Sequence, residues 1–152
     1  MARFFRIVKA AWADTAMNGE GARINGGRWN PPGIPVVYLA DSRALATLEI
    51  LVHLGRKAVS LDWRILTAEV PDGMLELTIS ASMPVGWDAL PSSLISRKIG
   101  ADWARQGKKP AILLPSAVIP SENTLLLNVR HPEFQSLKFS KPERFLFDRR
   151  LG

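Results

Sequence analysis

Apolar positions recur along this chain in short runs, each bounded by turn residues. FFRIV (4–8) and VVYLA (36–40) are β-branched and aromatic and read as strands. In VVYLA the alternation places Val36 and Tyr38 on one face and Val37 and Leu39 on the other. DSRALATLEILVHLG (41–55) has a helical period, with Asp41 or Ser42 as its cap and Gly55 as its stop. At about 100° per residue, Ala44, Leu45, Leu48, Leu51 and Val52 share one side. Ser42, Ala46, Glu49, His53 and Arg56 form a separate stripe, with Glu49 at the border of the apolar arc, facing water or the rim of a cleft. WRILTAEV and LELTI read as two strands of a hairpin closed by Pro71-Asp72-Gly73. A second helix runs from Ser92 or Ser93 to about Gln106, weakened by Gly100, and AILLP, TLLLN and RFLF supply further strands. Many strands, two helices and no regular βαβ alternation predict an α+β fold. Nothing resembles a repeat or linker, so residues 1–152 form one domain.

Composition narrows the class. A chain of 152 residues buries roughly 68–70% of its unfolded surface and needs no staple. The absence of cysteine excludes disulfides and thiolate zinc sites. The start MARFFRIVKAAWADTAM lacks the apolar core and small-residue cleavage site of a secretory signal, and no apolar run approaches the roughly 18 residues of a membrane span. A soluble cytoplasmic protein is expected. The net charge of +6 is concentrated late: residues 1–76 carry nine Lys or Arg against eight Asp or Glu, and residues 77–152 carry eleven against six. Such a half attracts nucleic acid, phosphorylated small molecules or an acidic protein, and charge alone does not choose among them.

Strong local motifs are missing. GARINGGRWNPPG (21–33) is neither a dinucleotide fingerprint nor a P-loop, no serine sits in a Gly-x-Ser-x-Gly elbow, and His53 and His131 have no metal-ligand partner nearby in sequence. A metal site is not expected. What remains is dispersed: Arg28 after two glycines, Tyr38 in a strand, Glu49 in the next helix and Ser116 after AILLP. Taken singly, these are a surface arginine, a half-buried strand aromatic, a solvated helix face and a serine bonded to nearby backbone.

Their order and setting carry more. FRI, then GARINGGRWNPPGIPVVYLADSRALATLEILVH, then PSAVIPSENTLLLNVRHPEF resemble the RES-domain family, toxins of RES/Xre toxin–antitoxin pairs named for an arginine, a glutamate and a serine. The matching positions are Arg28 in GGRWN, Glu49 in LATLEIL and Ser116 in LPSAVIPSEN, with Tyr38 in the intervening strand. One departure is Val129 in LNVRHP, where the family commonly has proline.

The resemblance implies a compact single domain similar to the ADP-ribosyltransferase fold, with central mixed or antiparallel sheets and flanking helices. It implies a toxin that depletes NAD by hydrolysis or phosphorolysis of the nicotinamide–ribose bond. On that reading Glu49 stabilises an oxocarbenium-like transition state. Arg28, with Arg6 as a second clamp, grips the pyrophosphate, and Tyr38 stacks on the nicotinamide. Ser116 either bonds the substrate or orients Glu49. NAD is substrate, with no further cofactor. The implied partner is an Xre-type helix-turn-helix antitoxin, with room for a homodimer within the complex and with no membrane or direct nucleic-acid contact. The competing reading is a nucleic-acid-binding module using Arg97, Lys98, Arg105, Lys108 and Lys109 around Trp103.

Overall fold

The computed structural model describes residues 1–78 and 80–152. In chain order the elements are β1 (Ala2–Lys9), α1 (Glu20–Asn25), β2 (Val36–Ala40), α2 (Arg43–Leu54), β3 (Trp63–Val70), β4 (Leu75–Leu77), α3 (Leu94–Gln106), β5 (Ala111–Pro115), β6 (Asn123–Asn128), β7 (Lys138–Phe139) and β8 (Glu143–Phe145), linked in places by short 3-10 turns. One sheet runs β4-β5-β6-β2-β1-β3-β7, with β8 also pairing β3. Its pairings are antiparallel except β4 with β5. This is the expected α+β class, with helices flanking a mixed sheet.

The hairpin expected at Pro71-Asp72-Gly73 does not form. β3 is flanked by β1 on one side and by β7 and β8 on the other, so no edge is left for the next segment. The chain instead crosses to the far edge, where Leu75–Leu77 pairs parallel with β5. Ile79, the last residue of LELTI, lies outside the described residues.

Two features of the sheet position everything that follows. First, β1 pairs with β3 along its whole length but meets β2 only at Phe5 opposite Ala40, so β1 and β2 part toward the Val36 end of β2. Second, β2 alternates cleanly. Val37 and Leu39 pack with Phe4, Leu125 and Leu127 on one face. On the other, Ala40 meets Leu45 and Ala46 of α2, while Val36 and Tyr38 meet Trp29, Trp103 and Leu126. α2 and α3 therefore cover opposite ends of one face of β2, and Tyr38 lies between them.

α2 forms where its cap and stop place it: the Ser42 side chain accepts the Leu45 N–H, and Gly55 at φ 61° ends the helix. Its buried face differs from the apolar arc. Leu45 and Ala46 are buried, Glu49 is half-buried, and Leu48 and Val52 are exposed, the latter at 58%. The helix packs through Leu45, Ala46, Ile50 and Leu51, and this rotation brings Glu49 within reach of Ser116, as described below.

Gly100 is a point of contact, with no break in α3. A Cβ built there would lie 1.7 Å from the Trp29 carbonyl oxygen, so only glycine lets the helix approach that backbone. Replacing Gly100 by Ala gains about 1 kcal/mol of helix propensity but drives a methyl into a backbone oxygen that cannot swing away. We expect a net destabilisation on the order of 2 kcal/mol, at the overpacking scale, read from urea unfolding; an unchanged or higher midpoint would contradict this packing.

Candidate active site

The glycine-rich loop is built around a buried amide. α1 ends at Gly26, whose φ of 73° turns the chain, and Gly27 and Asn30 close a tight turn by exchanging backbone bonds of 2.9 and 3.4 Å. Asn30 is wholly buried. Its Nδ2 lies 2.9, 3.1 and 3.2 Å from the carbonyls of Ala22, Pro31 and Ile34, and its Oδ1 accepts the Tyr38 hydroxyl at 2.6 Å. That hydroxyl also accepts the Trp29 N–H at 2.9 Å. A Cβ at Gly27 would sit 2.7 Å from it, so the loop and the ring are in closest contact where the side chain is absent.

Arg28 is aimed by its neighbours. Trp29 is buried and stacks on Trp87 at 5.8 Å, and Asn30 is locked inward. The guanidinium stays partly exposed, and its Nη1 donates to the carbonyls of Trp87 and Ala89 at 3.1 and 3.0 Å. Arg97, from the first turn of α3, donates Nε to the Gly27 carbonyl and Nη2 to Ser92 Oγ, both at 3.3 Å.

Tyr38 has its hydroxyl fully engaged. Burial pushes its pKa well above the usual phenol range, and the backbone donors of the turn and the charges of Arg97 and Arg28 offset this in part. Arg6 reaches across the space between β1 and β2 and donates Nη1 to the Tyr38 carbonyl at 2.9 Å, leaving its Nε buried without a partner. Desolvation lowers its pKa to about 10, so it remains a cation at neutral pH.

At the other end of the same face, Ser116 Oγ donates to Glu49 Oε1 at 3.0 Å and accepts the N–H groups of Val118 and Ile119 at 3.1 and 3.2 Å. Because two backbone donors fix the lone pairs of the wholly buried hydroxyl, its proton has one direction to go. Of the two roles open to Ser116 from sequence, the geometry supplies the orientation of Glu49. One Glu49 oxygen is held while the half-buried side chain keeps an opening to solvent.

The structure thus joins Arg28 to Tyr38 through the turn, Arg6 to Tyr38 through the backbone, and Glu49 to Ser116, with β2 spanning the groups. Sequence reasoning missed Asn30 and assigned Arg97 elsewhere. A buried amide leaves no periodic signal, although an asparagine in a loop rich in glycine and proline is a reason to look for a backbone-satisfying side chain. The nucleic-acid reading loses its stacking element: Trp103 is 5% exposed and packs in the core with Trp29 and Leu126, Arg97 is tied to the loop, and Lys98 pairs with Asp102. A cavity of about 370 Å³ lies at the far end of β2, lined by Pro32, Ile34, Arg105 and Arg130 among others, and contains none of Arg6, Arg28, Tyr38, Glu49 and Ser116. Among the described residues no three His, Cys, Asp or Glu side chains gather as a metal site, and no helix is long and apolar enough to cross a membrane.

A mixed sheet with an arginine-bearing loop and a serine-held glutamate on one face defines a single α+β domain. The RES domain model matches residues 3–148, and the chain belongs to the RES domain family. It is 40% identical over 153 residues to a protein of Sphingobium sp. named Prs ADP-ribosylating toxin, covering 97% of this chain and 95% of that one. It is 36% identical over 148 residues to Toxin Res of Yersinia enterocolitica, covering 97% of each. A third relative, NAD(+) phosphorylase MbcT of Mycobacterium tuberculosis, is 39% identical over 71 residues, covering 41% of this chain and 38% of MbcT. The solved MbcT-MbcA toxin-antitoxin complex matches the fold with a TM-score of 0.76 at 21% identity, over 95% of this chain and 84% of that one.

Tyr38 is the only tyrosine, so its titration can be read without interference from another phenol. In the folded protein, tyrosinate absorbance should appear only well above pH 10, and in denaturant near the ordinary value of about 10. With the folded pKa raised, the neutral phenol contributes stability in full below about pH 10, and that contribution is lost as pH rises through the folded value. Tyr38→Phe, which leaves Asn30 Oδ1 and the Trp29 N–H without partners, should cost about 1–3 kcal/mol in chemical unfolding.

Proposed function

We propose that this chain is the toxin of a toxin–antitoxin pair and that it depletes cellular NAD by cleaving the nicotinamide–ribose bond. The observation that carries this reading is the Glu49 carboxylate, held at 3.0 Å by Ser116 on the sheet face that also bears Arg28. Departure of nicotinamide takes the C–N bonding pair onto the pyridinium nitrogen and leaves positive charge on the ribose. A fixed carboxylate stabilises that charge without reorganising in the transition state.

Arg28 serves the pyrophosphate by charge-assisted bonds from the guanidinium edge that the Trp87 and Ala89 carbonyls leave open. With its hydroxyl spent on Asn30 and Trp29, Tyr38 contributes its ring and not its proton. Arg6 supports the Tyr38 backbone and adds buried positive charge beneath the site. Ser116 acts through Glu49. NAD enters as substrate, and the reading assigns no other cofactor. Water, inorganic phosphate or a protein takes the ADP-ribosyl group; the name of the MbcT relative favours phosphate and that of the Sphingobium relative favours a protein.

The toxin would act in the cytoplasm. We assign it an Xre-type helix-turn-helix antitoxin, with a homodimer of toxin inside the complex; the support is the family resemblance and an MbcT relative solved as a toxin-antitoxin complex.

Purified chain, free of antitoxin, should release nicotinamide from NAD, with or without added phosphate; folded protein that releases none would refute the reading. Glu49→Gln and Arg28→Ala should each lower turnover by at least about 10²-fold, the scale of losing one transition-state stabiliser. Lys108→Ala should leave turnover near normal. Ser116→Ala, by freeing Glu49 to drift, should lower kcat by up to about 10²-fold with little change in KM.

A further inference from the structure

We propose that Arg97 is the second cation of the anion site and takes the diphosphate of the dinucleotide together with Arg28. The proposal rests on the NAD reading above and adds a residue and a subsite to it.

Arg97 and Arg28 approach one turn from two sides. Arg97 holds the Gly27 carbonyl from α3, while Arg28, the next residue of the turn, is held by the carbonyls of the 87–89 segment. Arg97 Nε lies 3.3 Å from the carbonyl oxygen of Gly27, the residue that precedes Arg28, so both arginines belong to one turn. The contact of Gly100 with the Trp29 carbonyl sets α3 beside the turn, and the bonds to the Gly27 carbonyl and Ser92 place the Arg97 guanidinium there.

The acceptors of these two arginines are all neutral: three backbone carbonyls and the Ser92 hydroxyl. Among the described residues, the arginines paired with carboxylates are Arg3, Arg23, Arg64 and Arg150, none of them at this turn. Two guanidinium groups positioned by neutral acceptors have no carboxylate beside them to compensate their charge, and each keeps donors to spare. Arg28 retains Nε and Nη2, and Arg97 retains Nη1. A diphosphate diester carries two negative charges and presents oxygens to both planar forks at once.

The alternatives fit less well. Arg6 spends Nη1 on the Tyr38 carbonyl, and its Nε is buried, which suits a supporting charge better than a second clamp. The cavity beside Arg105 and Arg130 lies at the C-terminal end of α3, where the carbonyl dipoles oppose an anion.

The test compares wild type with Arg97→Gln and Arg97→Lys. Glutamine removes the charge but keeps an amide that can donate to the Gly27 carbonyl. Calorimetric titration with ADP-ribose, which retains the diphosphate and lacks nicotinamide, should give a Kd raised about tenfold or more for R97Q, as expected for losing one charge-assisted pair. KM for NAD should rise by a similar factor with kcat within about threefold of wild type, and R97K should recover part of the affinity. Unchanged ADP-ribose affinity in folded R97Q would overturn the proposal, as would a fall in kcat at constant KM, which would make Arg97 a transition-state group, or loss of the fold in both variants, which would make it a structural tie. Wild type that binds ADP-ribose but releases no nicotinamide would refute the catalytic reading while leaving the Arg97 comparison intact. Wild type that does neither refutes both.

Discussion

The hydroxyl of Tyr38 donates to Asn30 and accepts from the Trp29 backbone, and the order of the cationic loop depends on that pair of bonds. Asn30 is wholly buried, so each polar atom of its amide must be satisfied or cost on the order of 1–3 kcal/mol. Its Nδ2 gathers three carbonyls from the ends of the loop, and its Oδ1 has Tyr38. The loop is therefore closed onto a strand side chain, and the strand is part of the central sheet. Glycines at 26 and 27 make this closure sterically possible, the first by its positive φ and the second by leaving room for the phenol oxygen.

From that constraint the side-chain directions follow. With Trp29 and Asn30 committed inward, Arg28 has only the outer side of the turn. With Gly100 against the Trp29 carbonyl, α3 comes close enough for Arg97 to reach Gly27. A parallel device operates at the opposite end of β2, where two backbone N–H groups fix Ser116 and Ser116 fixes Glu49. Cations and carboxylate are thus held apart on one face by separate elements and do not neutralise each other. An ion pair between them would occupy both groups and leave neither open to a ligand.

Much of this was legible in the sequence, and the failures are informative. β2 and the cap and stop of α2 follow from β-branched content, Ser42 and Gly55, which act locally. The hairpin at Pro71-Asp72-Gly73 failed because a turn signal reports that the chain bends and not which strand it joins; the edges of β3 were taken by segments far away in sequence. The buried face of α2 departs from the apolar arc because its contacts come from distant segments: Leu45, Ala46, Ile50 and Leu51 pack on the sheet, and Ser116, which meets Glu49, lies 67 residues away, where no helical period contains it. Arg28, Tyr38, Glu49 and Ser116 are singled out only by the family resemblance, since singly each has an ordinary explanation. Asn30 and Arg97 were missed because their roles depend on burial and on the approach of α3.

The basic half of the chain illustrates the same point about charge. Counting Lys and Arg after residue 77 suggested a surface for a polyanion, with Trp103 as a stacking platform. Folding sorts those charges by their partners: Lys98 is compensated by Asp102, Arg105 and Lys108 project to solvent, and Arg97 is drawn to the turn that carries Arg28. Trp103 is spent on the core beneath them. Net charge is a sum over groups with different surroundings, and a site needs charges that are both uncompensated and fixed. In this half of the chain Arg97 and Lys109 combine those two properties, Lys109 on the Leu75 carbonyl at the sheet edge and Arg97 on a carbonyl and a hydroxyl beside Arg28.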